Sequence, residues 1–367
     1  IRRQRLMCIR DRLYRINVNN MRFNLVVLFV ILLSFSSCGR EEKTVYDFPL
    51  EQSLKSDKEV SLNKELLAPY LVCSYDSTLC LIDWTANPMV HVYNMNTGKE
   101  MVAFGNKGMG PDDFLSISQM YVDMGKRSLV LYDQSLQTIS SFQIDSLAQG
   151  SLSKIDCVSA PKLGMNRVYA YSDSIFYGSG TFESGLIAKC NQKEILNQYL
   201  PFPHTEQAVN RDVNYLLFQG DLIMKPDKKR FAYLAYECDL LSIQKVVNDT
   251  CLESVVHLNT YTPVFENQST NEVSSVNVST DSPKGFLRGV ATENYVYALY
   301  SGQIGKNKAI ANEVYVFDWE GRAVKKVILD RWGICISVDS NDERLCLMTK
   351  ETDGGEERYH YYCYQLN

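Results

Sequence analysis

Residues 313–329 read EVYVFDWEGRAVKKVIL and residues 333–350 read GICISVDSNDERLCLMTK, and this pair of phrases decides the fold. Each consists of two short runs of β-branched, aliphatic and aromatic residues joined by a polar turn, the pattern of a β-hairpin. Working outward, the first phrase has counterparts at Met89–Phe104, Ser128–Ile144, Gly185–Leu200 and Cys238–Leu258, and a last hairpin turns at Gly354-Gly355. Another pair of strands precedes most of them, as in GFLRGVATENYVYALYS over residues 285–301. Runs such as YVYALY, residues 295–300, are apolar on both sides, so such a strand is buried on both faces. No amphipathic helix longer than two turns is found.

Length selects among the all-β architectures. A sandwich takes about 100 residues, so the body would have to be three of them with linkers. No Pro/Gly/Ser linker divides it. Six repeats of four strands take about 55 residues each, which suits propeller blades with generous loops. The chain is therefore expected to be all-β, a six-bladed β-propeller of four-stranded antiparallel blades over residues 65–367, preceded by a signal and lipid-anchor segment.

That preceding segment is MRFNLVVLFVILLSFSSCGREEK, Met21 to Lys43. It has a basic start at Arg22, an apolar run from Leu25 to Leu33, and small residues before Cys38. The run is short of the roughly 20 residues that span a bilayer. It suits the core of a secretory signal, which is removed and contributes no structure. The arginine-rich stretch in front, with Arg2, Arg3 and Arg5, is expected to be either upstream read-through ahead of Met21 or an extended signal start. Residues 1–37 are thus assigned to leader and signal, and residues 38–64 to a tether merging into a first strand. That early strand is expected to complete the last blade and close the ring.

The whole chain has a formal net charge of −5. Residues 1–37 hold seven arginines and one aspartate, so removing them takes away six positive charges and leaves a body at −11. Phosphate backbones are bound by Lys and Arg, so no nucleic-acid partner is expected. Of the eleven cysteines, Cys8 lies in the leader and Cys38 at its end, leaving nine, an odd number that cannot all pair within one chain. No C-x-x-C spacing occurs and His91, His204, His257 and His360 are scattered, so neither a metal site nor a cofactor is expected. A two-residue turn at Asp76-Ser77 would set Cys73 opposite Cys80, about 4.5–5.5 Å apart at Cα, a candidate disulfide. A turn centred on Ser340-Asn341 would set Cys335 opposite Cys346, and one at Gly354-Gly355 would set Cys346 opposite Cys363. Only one of these last two pairs can bond; the alternative for all of these cysteines is the role of small buried strand residues.

Catalytic patterns are missing. No G-x-S-x-G or H-E-x-x-H occurs, and the glycine-rich loop Gly105–Pro111 lacks the strand–helix context and G-K-[ST] of a phosphate loop, so it reads as an inter-blade turn. Asp112-Asp113 beside it is too little for a cation site. The candidate binding residues come from the expected geometry. Arg288, in FLRGVA, would lie on the innermost strand of its blade and face the central channel. Arg211 and Tyr215, in NRDVNYLLF, would approach the same region from an earlier blade.

Two resemblances add to this reading. Cys38 behind Ser36-Ser37 resembles the lipobox of bacterial lipoproteins, in which the cysteine is lipidated and becomes the first residue; Phe35 stands where leucine is usual. The phrases at residues 313–330 and 336–348, with FGNKGMGPDDF leading into LVLYDQSLQTISSF, resemble the TolB-like six-bladed β-propeller lipoproteins of Bacteroidetes. The acidic pair Glu41-Glu42 is similar to the signal that sends such lipoproteins to the cell surface. The resemblance implies export and a lipid anchor in the outer membrane, facing the periplasm or the surface. It implies no activity. The expected function is a non-enzymatic binding or scaffolding module for a protein or glycan; the alternative is a propeller enzyme, a carbohydrate lyase or hydrolase, with residues converging on the channel.

Overall fold

The computed structural model describes residues 46–248, 251–353 and 356–366. Four antiparallel sheets of four strands follow one another along the chain: residues 69–104 (blade 1), 117–159 (blade 2), 165–199 (blade 3) and 220–258 (blade 4). An eight-stranded sheet holds the last two blades. Its strand Ala323–Val338 is the fourth strand of blade 5 over its first half and the first strand of blade 6 over its second, pairing with Ala311–Asp318 on one side and Arg344–Asp353 on the other. The result is a six-bladed β-propeller of four-stranded blades. Among the described residues no helix is long and apolar enough to cross a membrane.

Burial follows the position of a strand within its blade. Second strands are enclosed by neighbours on every side: Thr78–Asp83 and Ser128–Asp133 are buried at every residue. Fourth strands form the outer edge, and Ile195–Tyr199 is half-buried to exposed. First strands surround the axis and are mostly half-buried, as in Pro69–Tyr75 and Ile117–Asp123. Neighbouring strands approach closely at the start of an inner strand. A Cβ on Gly220, at the start of the first strand of blade 4, would sit 2.1 Å from the Leu234 carbonyl oxygen, so only glycine fits there.

The early strand closes the ring. Lys58–Glu59 pairs with Cys363 and Tyr362 as the fourth strand of blade 6, and the Val60 amide donates to the Tyr361 carbonyl (2.8 Å). Glu51–Leu54 adds a parallel strand at the edge of blade 5, on Lys326–Leu329. The segment assigned to a tether over 38–64 therefore supplies ring residues from Glu51 onward, and Asp47–Asn367 forms one compact unit. Cys38 lies outside the described residues.

Asp76-Ser77 makes the expected turn, with Asp76 at φ 51°, and sets Cys73 opposite Cys80. The candidate bond between them is not formed, and both are thiols, Cys80 buried and Cys73 half-buried, close to the alternative role of small buried strand residues. The disulfide joins Cys346 and Cys363, paired across the last hairpin. Cys335 is not opposite Cys346 but opposite Met348, because the turn is centred one residue later than Ser340-Asn341. Asp339 fixes it by accepting the Glu343 and Arg344 amides (2.8 and 3.1 Å), with Asp342 at φ 61°.

Two insertions carry structure the sequence reading did not assign. Arg211–Phe218, between blades 3 and 4, is a two-turn helix; the Asn210 side chain caps the Val213 amide (2.9 Å) and Val213, Leu217 and Phe218 are buried. Phe265–Asn267 and Val276–Val278 pair as a small hairpin between blades 4 and 5.

Candidate functional site

The first strands of all six blades surround a cavity of about 230 Å³ on the axis. It is lined by Leu71–Tyr75, Ser118–Met124, Arg167 and Tyr169, Asp221–Pro226, Arg288–Glu293 and Cys335–Val338, with Lys228 and Ser340 at its rim. Its floor lies towards the N-terminal ends of these strands and its mouth towards their turns. At a rise of about 3.3 Å per residue, the five residues from Leu71 to Tyr75 give it a depth of about 13 Å.

The floor is an ion network contributed by three consecutive blades. Asp221, next to Gly220 at the start of its strand, receives Arg167 through Nη2 and Nε at Oδ1 (3.1 and 3.3 Å). The Tyr236 hydroxyl donates to the same oxygen (2.6 Å), and the Gly289 amide donates to Oδ2 (3.2 Å). Arg288 Nη1 stands 3.9 Å from Oδ1, and the guanidinium lies over the Tyr236 ring at 5.9 Å. Nη2 of Arg288 donates to the Tyr70 carbonyl of blade 1 (3.3 Å), which carries the network across the axis. Burial alone pushes the Asp221 carboxyl up; Arg288, Arg167 and the Tyr236 hydroxyl outweigh it and hold the group below the usual carboxylate range. Burial raises the Tyr236 hydroxyl, which stays a neutral donor.

Arg288, expected to face the channel, lines it and is bound to this carboxylate. Tyr215 reaches the underside of the floor: the Asn166 amide donates to its hydroxyl, while Asn166 in turn accepts from Gln134. Arg211 does not reach the region. It begins the helix Arg211–Phe218, half exposed, and pairs with Glu183 and Asp212, because the helix buries Tyr215 and turns its first residue outward. Asp221, Arg167 and Tyr236 were missed. A charge at the N-terminal end of a first strand is the signal that would have found the first two, since it marks Arg288 as well.

At the mouth the charges are paired. Lys228 faces Asp123 (3.2 Å), and Lys225 bridges Asp227 and Glu293 (2.5 and 2.8 Å). The thiols on the wall are poor nucleophiles: the Cys80 contact and then burial raise Cys73, and burial pushes Cys335 up to about 12. The remaining sequence candidates are engaged structurally. His91 meets Glu100 (2.7 Å), His360 meets Glu59 (2.8 Å), Asp113 accepts the Gly110 amide (2.9 Å) and Asp112 meets Lys154 (3.1 Å). Gly105 turns between blades at φ 79°. Among the described residues no cluster of three His, Cys, Asp or Glu could hold a metal ion. A second recess of about 680 Å³ lies behind the floor, lined by Tyr70, Trp84, Tyr359, Lys306 and Lys350.

The fold and the enclosed axial cavity define a β-propeller with a closed-ended channel. The chain belongs to the family described as TolB-like 6-blade propeller-like, which it matches over residues 45–341. Among solved structures, it is similar to a Bacteroides fragilis protein described as exported (12% identity, TM-score 0.46, covering 85% of this chain and 98% of that one). A DUF4221 member from Bacteroides vulgatus matches at 9% identity and TM-score 0.49, covering 85% and 97%. The calcium-binding regucalcin of Agrobacterium tumefaciens matches at 11% identity and TM-score 0.42, covering 87% and 97%. No curated protein matches.

Proposed function

We propose that this chain is an exported, lipid-anchored binding module that holds its ligand in the axial channel and does not transform it. The signal-like run Leu25–Leu33 and the lipobox-like Ser36-Ser37-Cys38 support export and anchoring, with the membrane as one partner. The observation that carries the binding reading is the state of Asp221. General acid–base chemistry needs a group that titrates near the working pH and is free to reach the substrate. Asp221 is held ionised, and both its oxygens are already occupied by Arg167, Tyr236 and Gly289. Residues do converge on the channel as the enzyme alternative requires, but the one carboxylate among them at the floor is fully occupied. What remains is a small, walled space with a charged floor, the form of a ligand site.

The test is recovery of the ligand. The full chain, extracted in mild detergent, is incubated with fractionated envelope glycans and metabolites, and bound and free species are compared with the input by mass. A species retained at unchanged mass, and retained less by an Ile223→Trp chain whose channel is filled, is the expected result. New masses that appear only in the presence of the chain would overturn the non-enzymatic reading.

A further inference from the structure

The channel floor sets two guanidinium groups against one carboxylate. Arg167, Arg288 and Asp221 leave a surplus positive charge where the channel ends. At the rim Asp123 faces Lys228, while Glu293 and Asp227 share Lys225, so the one carboxylate in excess there stands at the opposite end of the channel from Arg167 and Arg288. A surplus charge in an enclosed space of low dielectric is costly and is met by a counter-ion. Arg288 also retains a buried Nε donor without a partner among the described residues. A planar guanidinium fork is the protein group best matched to the paired oxygens of a carboxylate or similar oxyanion.

Above the floor the wall changes character. Met120, Tyr121, Tyr169, Ile223 and Val290 give it an apolar and aromatic lining. The volume of about 230 Å³ lies between the roughly 150 Å³ that accommodates benzene and the roughly 300–1,000 Å³ of sites for drug-sized ligands. It has room for one ring and a short arm.

We propose that the channel binds a small organic anion, with a carboxylate, sulfate or phosphate on the Arg167–Arg288 floor and a ring-sized apolar body against Tyr121 and Tyr169. This rests on the reading of the channel as the ligand site and adds the chemistry of the ligand. The full chain in mild detergent and phosphate-free buffer is titrated calorimetrically with phenylacetate, phenyl sulfate, phenyl phosphate and neutral phenylacetamide. At least one anion is expected to bind tenfold or more tightly than phenylacetamide, with an affinity that falls as salt is raised. The ranking of the three anions identifies the oxyanion. Arg288→Gln is expected to lose at least tenfold in affinity for the anions and little for phenylacetamide. Should that variant fail to fold, the comparison of charged and neutral probes on the unaltered chain decides alone. Equal binding of phenylacetamide and the anions overturns the anion proposal and leaves the channel a ligand site. Binding of none of the four overturns the proposal, and the mass comparison described above then judges the binding reading separately.

Discussion

Two aspartate roles explain much at the residue scale. Asp83 and Asp133 end the second strands of blades 1 and 2, and each accepts two backbone amides from the loop entering its own blade: Leu67 and Ala68 for the first (2.6 and 2.9 Å), Leu115 and Ser116 for the second (2.6 and 3.0 Å). They satisfy loop donors that no strand ladder reaches. Asp221 serves charge instead. Replacing it by Asn keeps the shape but leaves Arg167 and Arg288 facing each other without a counter-ion. Breaking a buried ion network on one side costs about 3–5 kcal/mol, so Asp221→Asn should lower the urea midpoint markedly at pH 7. The pH dependence has a definite sign. The folded-state pKa of Asp221 is depressed, so its stabilisation is complete above the unfolded value of about 3.9 and is lost as pH falls through the lower folded value. The unaltered chain should lose stability below about pH 4, and Asp221→Asn should show a shallower decline over that window. Urea melts of both chains at several pH values check this; equal midpoints at pH 7 would mean that the carboxylate does not hold the floor together.

Strands and hairpins show what could be read in the sequence and what could not. A hairpin announces itself locally, through two apolar runs and a turn, so the four-strand repeat and the Cys73/Cys80 and Cys346/Cys363 alignments were legible. The alignment of Cys335 was not, because register depends on which residue takes the left-handed turn position, and Asp339 and Asp342 decide that through the backbone. Arg288 was legible as a charge within an inner strand, whereas its partner Asp221 lies 67 positions earlier and meets it only when blades 4 and 5 pack side by side. Arg211 misled for a related reason: it was expected near the axis together with Tyr215, but the Asn210 cap starts a helix that buries Tyr215 and leaves Arg211 outside. The closing strand was legible only from the blade count, and its role can be tested. Val60 is buried against Tyr361 and Cys363 of blade 6. Val60→Ser gives up a buried valine worth about 1.5–3 kcal/mol, which should lower the melting temperature by a few degrees. The increase in hydrogen exchange should be concentrated in residues 356–366. Exchange that rises equally in blade 3 would show that the strand supports the ring no more than any other buried position does.

For the whole molecule, ring closure and the proposed anchor lie on the same stretch of chain. The strand that completes blade 6 begins twenty residues after Cys38, so the proposed point of attachment and the seam of the ring are close in sequence. The ring closed by this strand is also tied at the channel, where the Ser337 hydroxyl of blade 6 donates to Ser74 of blade 1 (2.9 Å). A lipid on Cys38, as proposed, would hold the protein at the membrane without touching a channel residue. This separation is the basis of the last prediction. Acyl chains bind a membrane through the burial of methylene groups, about 0.8 kcal/mol each, and the acidic body adds no attraction to an anionic surface. Removing the acyl site should therefore release the protein altogether. In cells given an alkynyl fatty acid, the unaltered chain should be labelled and sediment with the membranes, and Cys38→Ser should be unlabelled and leave the acyl-anchored membrane fraction. Binding of phenylacetate by the released chain should match that of the anchored one, since no channel residue is changed. A Cys38→Ser chain that remains labelled and membrane-bound would place the attachment elsewhere and remove the basis for starting the mature protein at this cysteine.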